Sequence, residues 1–415
     1  MRVGILAIGT ELLMGQTVNT NASYLSRELS EMGISVFYHY TVGDNPGRIQ
    51  LHLNALLEQC DTVFTTGGLG PTLDDITKEI VADTLGLNMI LDQHSLDRIK
   101  ERFGMFNKIM PESNIRQAYF PEGSVILDND CGTAPACIIT IKDTDKNIVI
   151  LPGPPKEMKH IFEKYIRAFL LEKNQQAMHS KYLSIYDLGE SSVEDALMDL
   201  VTNQTNPTIA TYAGDGKVLL RITSSGLEKE MNELAVEDMV ATVKSRIGSH
   251  VISENGDDID KVILRKLIEK SLKIAFVESC TGGLLSYSLI KNPGSSEVID
   301  SALVTYSNES KMREVGVRSE TLQTYGAVSH QTCHEMVAGL AAKTGVDFAV
   351  GVTGVAGPTG GTREKPVGLV YIGIYDGGEI LTFENHFTGD RETIQRRTVL
   401  KALKLLYDRL VSETN

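Results

Sequence analysis

Short apolar runs alternate with amphipathic stretches across residues 1–170. VGILAIG (3–9), ISVFYHYTV (34–42) and DTVFTTGG (61–68) are dense in β-branched and apolar residues and predict buried strands. ASYLSRELSEMG (22–33) puts Leu25, Leu29 and Met32 on one helical stripe and closes on Gly33. GRIQLHLNALLEQC (47–60) predicts a second helix, and PKEMKHIFEKYIRAFLLEK (155–173) a third, opened by Pro155. Strand–helix alternation at this spacing implies a mostly parallel sheet covered by helices on both faces.

The pattern changes in residues 175–255. KYLSIYDL, TIATYAG and KVLLRITSS predict short strands, and SSVEDALMDLV and LEKEMNELAVEDMVATVKSRIG predict helices. This small α+β module resembles RNA-binding KH modules in arrangement. It lacks their G-x-x-G loop between basic residues, and its long helix is rich in glutamate. A structural spacer without direct nucleic-acid binding is therefore expected. SENGDDID (253–260) is polar and acidic and predicts a linker. Beyond it, helix and strand alternate again and end in a long amphipathic helix over 392–411. The expected organisation is α/β overall: a parallel-sheet domain over 1–172, a connecting module over 173–252 and a second α/β domain over 253–415.

Several domains suit a chain of 415 residues, because single cores stop growing near ~250–300 residues. A net charge of −14 argues against a broad phosphate-tracking surface but leaves room for small anionic ligands held by local donors. Five cysteines without a C-x-x-C pair favour a reducing compartment. The N-terminal apolar run passes quickly into Thr10 and Glu11, which does not suit a signal peptide, and no run approaches a membrane span. A cytoplasmic protein with no membrane partner is expected.

FVESCTGGLLS (276–286) lines up three nucleophile-bearing residues, Ser279, Cys280 and Thr281, ahead of Gly282 and Gly283. It sits between a strand and a helix. Backbone can approach a ligand there, and the helix start presents unpaired N–H groups. No G-K-[ST] follows, so it is not a P-loop. A turn capped by Ser279 or Thr281 explains the same residues without chemistry. ALVTYSNESKMREVGV (302–317) predicts a strand ending at Tyr306 and a helix capped by Ser307 or Asn308. Lys311 then falls near the helix start, where the dipole disfavours a cation and lowers its pKa, as a lysine base requires. A solvated lysine offset by Glu309 is the plain alternative. DFAVGVTGVAGPTGGTREKPVGLVYIGIYD (347–376) offers a glycine-rich loop after Thr353 and Gly354, either lining a pocket or forming a long hairpin. In TGDRETIQRRTVLKALKLL (388–406), Asp390 suits an N-cap. The stripe Val399, Leu403, Leu406 extends back to Arg396 and Gln395, and an inward arginine needs a phosphate or a carboxylate. Arg391 also suits an anion. Hydroxyl, lysine, backbone donors and arginines together suit hydrolysis of an amide or ester on a phosphorylated small molecule. His330 and His334 flank Cys333 but lack the glutamate of H-E-x-x-H, so no zinc site is expected.

In the N-terminal region, AIGTELLMGQTVNTN (7–21), TTGGLGPTLDDITKE (65–79) and LPGPPKEM (151–158) are polar, glycine-bearing exits from strands. Gly67, Gly68 and Gly70 precede Asp74 and Asp75, so backbone N–H groups can hold phosphates while carboxylates hold a divalent ion. Asp74 and Asp75 equally suit N-caps of a helix over 75–85.

ESCTGG, TYSNESK, YGAVS, GVTGVAGP, EKPVG and GDR closely resemble the C-terminal domain of the CinA family, the competence/damage-inducible proteins, a domain also found alone as bacterial nicotinamide mononucleotide deamidase. The resemblance implies hydrolysis of nicotinamide mononucleotide to nicotinic acid mononucleotide and ammonia without a metal. It implies Ser279 as nucleophile, Lys311 as base and Tyr306 as their support. Thr281, Gly282 and Gly283 become oxyanion or phosphate donors, Arg391 or Arg396 the phosphate ligand, and Asn308, Thr353 and Gly354 pocket residues. Cys280 is the rival nucleophile, a better one as a thiolate but without an obvious histidine partner. GTELLMGQ, TTGGLGPTLDDIT and LPGPPKEM resemble the molybdopterin-binding fold in its CinA version. That implies a cobalt- or magnesium-dependent ADP-ribose pyrophosphatase, with Asp74, Asp75 and Glu157 on the metal and Thr10, Glu11, Gly67, Gly68 and Gly70 on the substrate. It also implies a homodimer whose small-molecule partners are nucleotides. A different class stays open: a molybdopterin-type binding or regulatory protein linked to competence, with vestigial catalysis.

Overall fold

The computed structural model describes residues 1–173, 178–214, 216–226 and 228–412. The chain forms two compact units, Met1–Met178 and His179–Asn415.

The first unit contains strands β1 (Arg2–Ile8), β2 (Ser35–Val42), β3 (Thr62–Thr66), β4 (Met89–Leu91), β5 (Tyr119–Pro121), β6 (Val125–Leu127), β7 (Ala136–Thr140) and β8 (Asn147–Leu151). Its helices are α1 (Thr10–Leu13), α2 (Thr20–Glu31), α3 (Pro46–Gln59), α4 (Thr77–Leu85), α5 (Gln93–Met105), α6 (Pro155–Ile161) and α7 (Arg167–Lys173). A π-turn, Phe162–Ile166, joins α6 to α7, so the helix expected over 155–173 runs its full length. The main sheet has the order β2-β1-β3-β8-β7-β6. Its first four strands are parallel, and β7 and β6 are antiparallel additions. Alternate residues of β1 serve opposite faces. Val3 and Ile5 pack with Leu25 and Leu29 of α2 and with α6, whereas Leu6 and Ile8 pack with Ile49, Leu53 and Leu56 of α3. Helix α2 starts earlier than the apolar stripe suggests, because the Asn19 side chain caps it at Ala22 N–H. Helix α4 starts later than expected. It opens at Thr77 without a side-chain cap, so Asp74 and Asp75 are not its N-caps.

The second unit begins with β9 (Met178–Tyr186, its first residue belonging to the other unit), α8 (Glu190–Thr202), β10 (Thr208–Gly214), β11 (Lys217–Ser225), α9 (Lys229–Ile247) and β12 (Val251–Ser253). These make a four-stranded sheet whose apolar face is covered by α8 and α9. The polar stretch 253–260, expected as a linker, is bound rather than free. Ser253 Oγ accepts from the N–H groups of Asn255 and Asp257, Gly256 N–H donates to Tyr182 O, and Tyr186 Oη accepts from Ile259 N–H. Its polar groups are satisfied by the module on one side and by the next helix on the other.

There follow α10 (Ile259–Glu269), β13 (Ile274–Glu278), α11 (Leu284–Ile290), β14 (Ile299–Val304), α12 (Asn308–Val315), α13 (Ser319–Tyr325), α14 (His330–Thr344), β15 (Phe348–Gly354), β16 (Leu369–Tyr375), β17 (Ile380–His386) and α15 (Arg391–Ser412). The sheet order is β14-β13-β15-β16-β17, with the first three strands parallel. Helices α10, α11 and α15 cover one face, and α12 and α14 the other. Among the described residues no helix is long and apolar enough to cross a membrane.

Two helical glycines differ sharply in their surroundings. A Cβ on Gly339 of α14 would lie 1.7 Å from the Val315 carbonyl oxygen, whereas a Cβ on Gly104 of α5 meets nothing within 4 Å. Gly339→Ala should therefore destabilise the protein by about 1–3 kcal/mol despite alanine's higher helix propensity. Gly104→Ala should be neutral or stabilising by up to about 1 kcal/mol. Urea unfolding of the two variants checks both signs.

Candidate functional site

Strand β13 is buried along its whole length and sits between β14 and β15. Its carboxyl end is thus a topological switch point, the usual ligand site of an open α/β sheet. The chain leaves β13 through Ser279 and Cys280 and turns at Gly282 (φ +63°) and Gly283 (φ +100°), a left-handed path that favours glycine. The neighbouring strand β14 ends beside it, with Thr305 N–H donating to Glu278 O at 2.8 Å. Ser307 caps α12 at Ser310 N–H, which sets Lys311 one turn in, facing back toward β13.

Lys311 is 1% exposed and Ser279 8%. The Lys311 Nζ lies 3.0 Å from Ser279 Oγ, 2.7 Å from Thr305 O and 3.4 Å from Tyr306 O. An ammonium has three hydrogens for these three oxygens. A neutral amine donates to the two carbonyls and keeps its lone pair for the Ser279 hydroxyl. Burial lowers the Lys311 pKa from the ordinary lysine value. Desolvation is thus the cause, where the sequence pointed to the helix dipole, and the solvated-lysine alternative does not hold. Cys280 is a neutral thiol at physiological pH, because burial pushes its pKa up to about 12.

Glu278, for which the sequence suggested no role, occupies the start of α11. Its Oε2 accepts from Thr281 Oγ1 (2.7 Å), Gly283 N–H (3.0 Å) and Leu285 N–H (3.1 Å), and its Oε1 from Ser286 N–H (2.8 Å). The N–H of Gly282 donates to Ser279 O. The expectation of free oxyanion or phosphate donors is therefore corrected for the Thr281 hydroxyl and for the N–H groups of Gly282 and Gly283, since these donors serve the chain itself. A buried glutamate at a strand end, five to eight residues before the first N–H groups of a helix, is the signal that could have shown it.

Tyr306 also needs correction. Its side chain is 63% exposed and its hydroxyl accepts from Arg391, so it reaches Lys311 only through its carbonyl. The Arg391 guanidinium donates to Tyr306 Oη (3.0 Å) and Gly357 O (2.7 Å), which fixes its orientation. Arg396 instead pairs with Glu392 on the surface, so its counter-charge is a neighbour one turn away. Gln395, from the same stripe, donates to Cys280 O at 2.7 Å and holds the loop that carries Ser279. Thr353 is buried and donates to Ala327 O, Gly354 packs against β16, and Asn308 is exposed.

In the first unit, Glu11, Gly67, Gly68, Gly70, Asp74, Asp75 and Glu157 all line one cavity of about 530 Å³, together with Asp44 and Gln117. Thr10 stands behind it, its hydroxyl donating to Asp44 at 2.8 Å. Glycine is required at 67, where φ is +99° and a Cβ would meet Ile8 O at 2.1 Å, whereas a Cβ at 70 would have to displace the Asp75 carboxylate 2.4 Å away. Asp74 accepts from the Thr72 hydroxyl and Asp75 from the Thr72 N–H at 3.0 Å, and that hydroxyl holds the Asp74 carboxyl below its usual pKa. Glu157 accepts from Asn129 Nδ2. Among the described residues no three His, Cys, Asp or Glu side chains converge as a metal-ligating set. The carboxylates nevertheless suit a hard cation that takes only one or two protein oxygens and completes its shell with water and substrate phosphate.

The buried amine has a consequence for stability. A depressed folded-state pKa means that, between that value and the unfolded value near ~10.4, the unfolded chain binds more protons. The contribution of Lys311 to stability therefore rises with pH through this window. The stability of the natural protein relative to Lys311→Met should increase as the pH rises toward the unfolded-state lysine pKa of about 10.4, as measured by urea unfolding.

Residues 4–172 match the model of the probable molybdopterin binding domain, 180–253 that of the damage-inducible protein CinA KH domain and 256–410 that of the CinA C-terminal domain. The chain is 45% identical over 406 residues to a CinA-like protein of Dictyoglomus thermophilum, covering 98% of each chain. It is 44% identical over 411 residues to a putative competence-damage inducible protein of Clostridium novyi, covering 99% of each. Its identity to the protein of that description from Clostridium acetobutylicum is 46% over 399 residues, covering 96% of this chain and 97% of the relative. Identity at this level along nearly the whole of both chains, with three family models matched in order, makes this chain a member of the CinA family.

Proposed function

We propose that the second unit hydrolyses the carboxamide of nicotinamide mononucleotide, giving nicotinic acid mononucleotide and ammonia. The observation that carries this reading is the buried Lys311 amine at 3.0 Å from the Ser279 hydroxyl. Neutral Lys311 takes the hydroxyl proton as Ser279 Oγ bonds to the carboxamide carbon. The proton passes from Lys311 to the leaving nitrogen, the C–N bond breaks and ammonia departs. Water then gives a proton to Lys311 as its oxygen attacks the ester, and Ser279 recovers that proton as the acid is released. The N–H groups of Cys280 and Thr281, beside the nucleophile, are the donors proposed for the oxyanion. Arg391, with two of its five N–H groups already used for orientation, is better suited than Arg396 to the substrate phosphate.

For the first unit we propose metal-dependent cleavage of ADP-ribose to AMP and ribose 5-phosphate in the 530 Å³ cavity. A cobalt or magnesium ion, held by one or two of the carboxylates of Asp74, Asp75 and Glu157 with water and substrate phosphate completing its shell, would supply charge neutralisation at the pyrophosphate. The Gly67–Gly70 backbone offers close approach to the phosphates, and Glu11 lines the same cavity with Thr10 behind it. A pyrophosphate-binding or regulatory role is the second reading for this unit, favoured by the lack of three converging ligands among the described residues. A homodimer and a cytoplasmic location accompany the proposal.

Ser279→Ala should lower ammonia release from nicotinamide mononucleotide by at least about 1000-fold, while Cys280→Ala stays within about threefold of the natural protein. The reverse order would move the nucleophile to Cys280. EDTA should abolish ADP-ribose cleavage and spare deamidation. Asp74→Ala and Asp75→Ala should each lower ADP-ribose cleavage by at least about 10–100-fold, the scale found when even an outer partner of a metal ligand is lost. Full ADP-ribose cleavage in EDTA would remove the metal from the first unit.

A further inference from the structure

The reaction above leaves one buried charge beside the nucleophile without a task. Glu278 is 1% exposed and directly precedes Ser279. Among the described residues its carboxylate has no cationic partner. Its charge is met by one hydroxyl and three main-chain N–H groups, at 2.7–3.1 Å. All four donors lie downstream of the turn, at residues 281, 283, 285 and 286. The carboxylate therefore closes the chain from 278 to 286 into a ring, and Ser279 is part of that ring. Outside it, Gln395 holds Cys280 O at 2.7 Å.

We infer that Glu278 is a positioning residue for Ser279. Its carboxylate, and not a substrate anion, fills the start of α11 and sets the loop on which Ser279 meets Lys311. The inference rests on Ser279 being the nucleophile, and it explains why a nucleophile can sit on a glycine-rich turn without drifting. Gly282 and Gly283 make the turn possible, and a turn with two glycines has many other conformations open to it. Four charge-assisted hydrogen bonds to one carboxylate select a single one. Substrate phosphate is thereby directed away from the helix start toward Arg391.

Glutamine is the informative replacement. It has the size of glutamate but offers one accepting oxygen and an NH₂ group, which cannot accept from N–H. At least one donor on the Ser286 side or the Gly283–Leu285 side then loses its partner. Glu278→Gln should lower kcat for deamidation about 10–100-fold with KM within about threefold, because a small misplacement of a reacting group acts on the chemical step. Amide hydrogen exchange at Gly283, Leu285 and Ser286, measured without substrate, should quicken at least about tenfold. Formate should restore part of the activity of Glu278→Ala by filling the gap left among the donors. Thr281→Val, which removes one donor and keeps the charge, should show a smaller loss of the same kind and tests the idea if the glutamine variant does not fold. An unchanged kcat in Glu278→Gln, or a loss confined to KM, would overturn the inference. Deamidation surviving in Ser279→Ala would instead overturn the nucleophile assignment, and the exchange measurement would still report on the ring.

Discussion

A lysine amine in a dry site is expensive to keep charged, and the second unit is arranged around that cost. Lys311 is surrounded by carbonyl oxygens and a serine hydroxyl, and desolvation pulls its pKa down. The same carbonyls that tolerate the ammonium orient the neutral amine, so its free lone pair is left for Ser279. The adjacent ends of β13 and β14, fixed by their parallel pairing, bring these atoms together. Burial that lowers the pKa of the amine, and so favours its neutral, proton-accepting form, also keeps Cys280 protonated, so environment alone distinguishes the two neighbouring groups.

The first unit solves a different problem. On the proposed reading, phosphate-bearing ligands need a wall of backbone with little side-chain bulk, and Gly67 is glycine because a Cβ there would lie 2.1 Å from the Ile8 carbonyl oxygen. The carboxylates around that wall are tied by Thr72 and Asn129 and stay within one cavity. On the proposed reading, such a site takes a cation brought in with its phosphate, rather than being a cage built for a metal by itself.

Much of the fold was legible because period and punctuation agreed. The strands β1, β2 and β3 and the helices α2, α3 and α15 fall within a few residues of their expected bounds. The misjudged ends have local causes. Asn19 caps α2 earlier than the apolar stripe begins, and Thr72 draws Asp74 and Asp75 away from the start of α4. The stretch 253–260 looked like a linker because polarity marks exposure only until hydrogen-bond partners are known. Ser253, Tyr182 and Tyr186 supply them.

The amino-acid sequence by itself determined the strand–helix alternation, the glycines at the turns and the identity of the hydroxyl and amine groups available for chemistry. These follow from side-chain period, from backbone freedom and from functional-group inventory, all of which are local. Only the tertiary structure decided which groups face each other. It turned Lys311 toward Ser279, turned the Tyr306 ring outward and gave the α11 donors to Glu278. Each outcome depends on burial and on distances across 32 residues of sequence or on competition between acceptors. A polar group's role is set by whichever partner reaches it first in three dimensions, and that is not a local property of the chain.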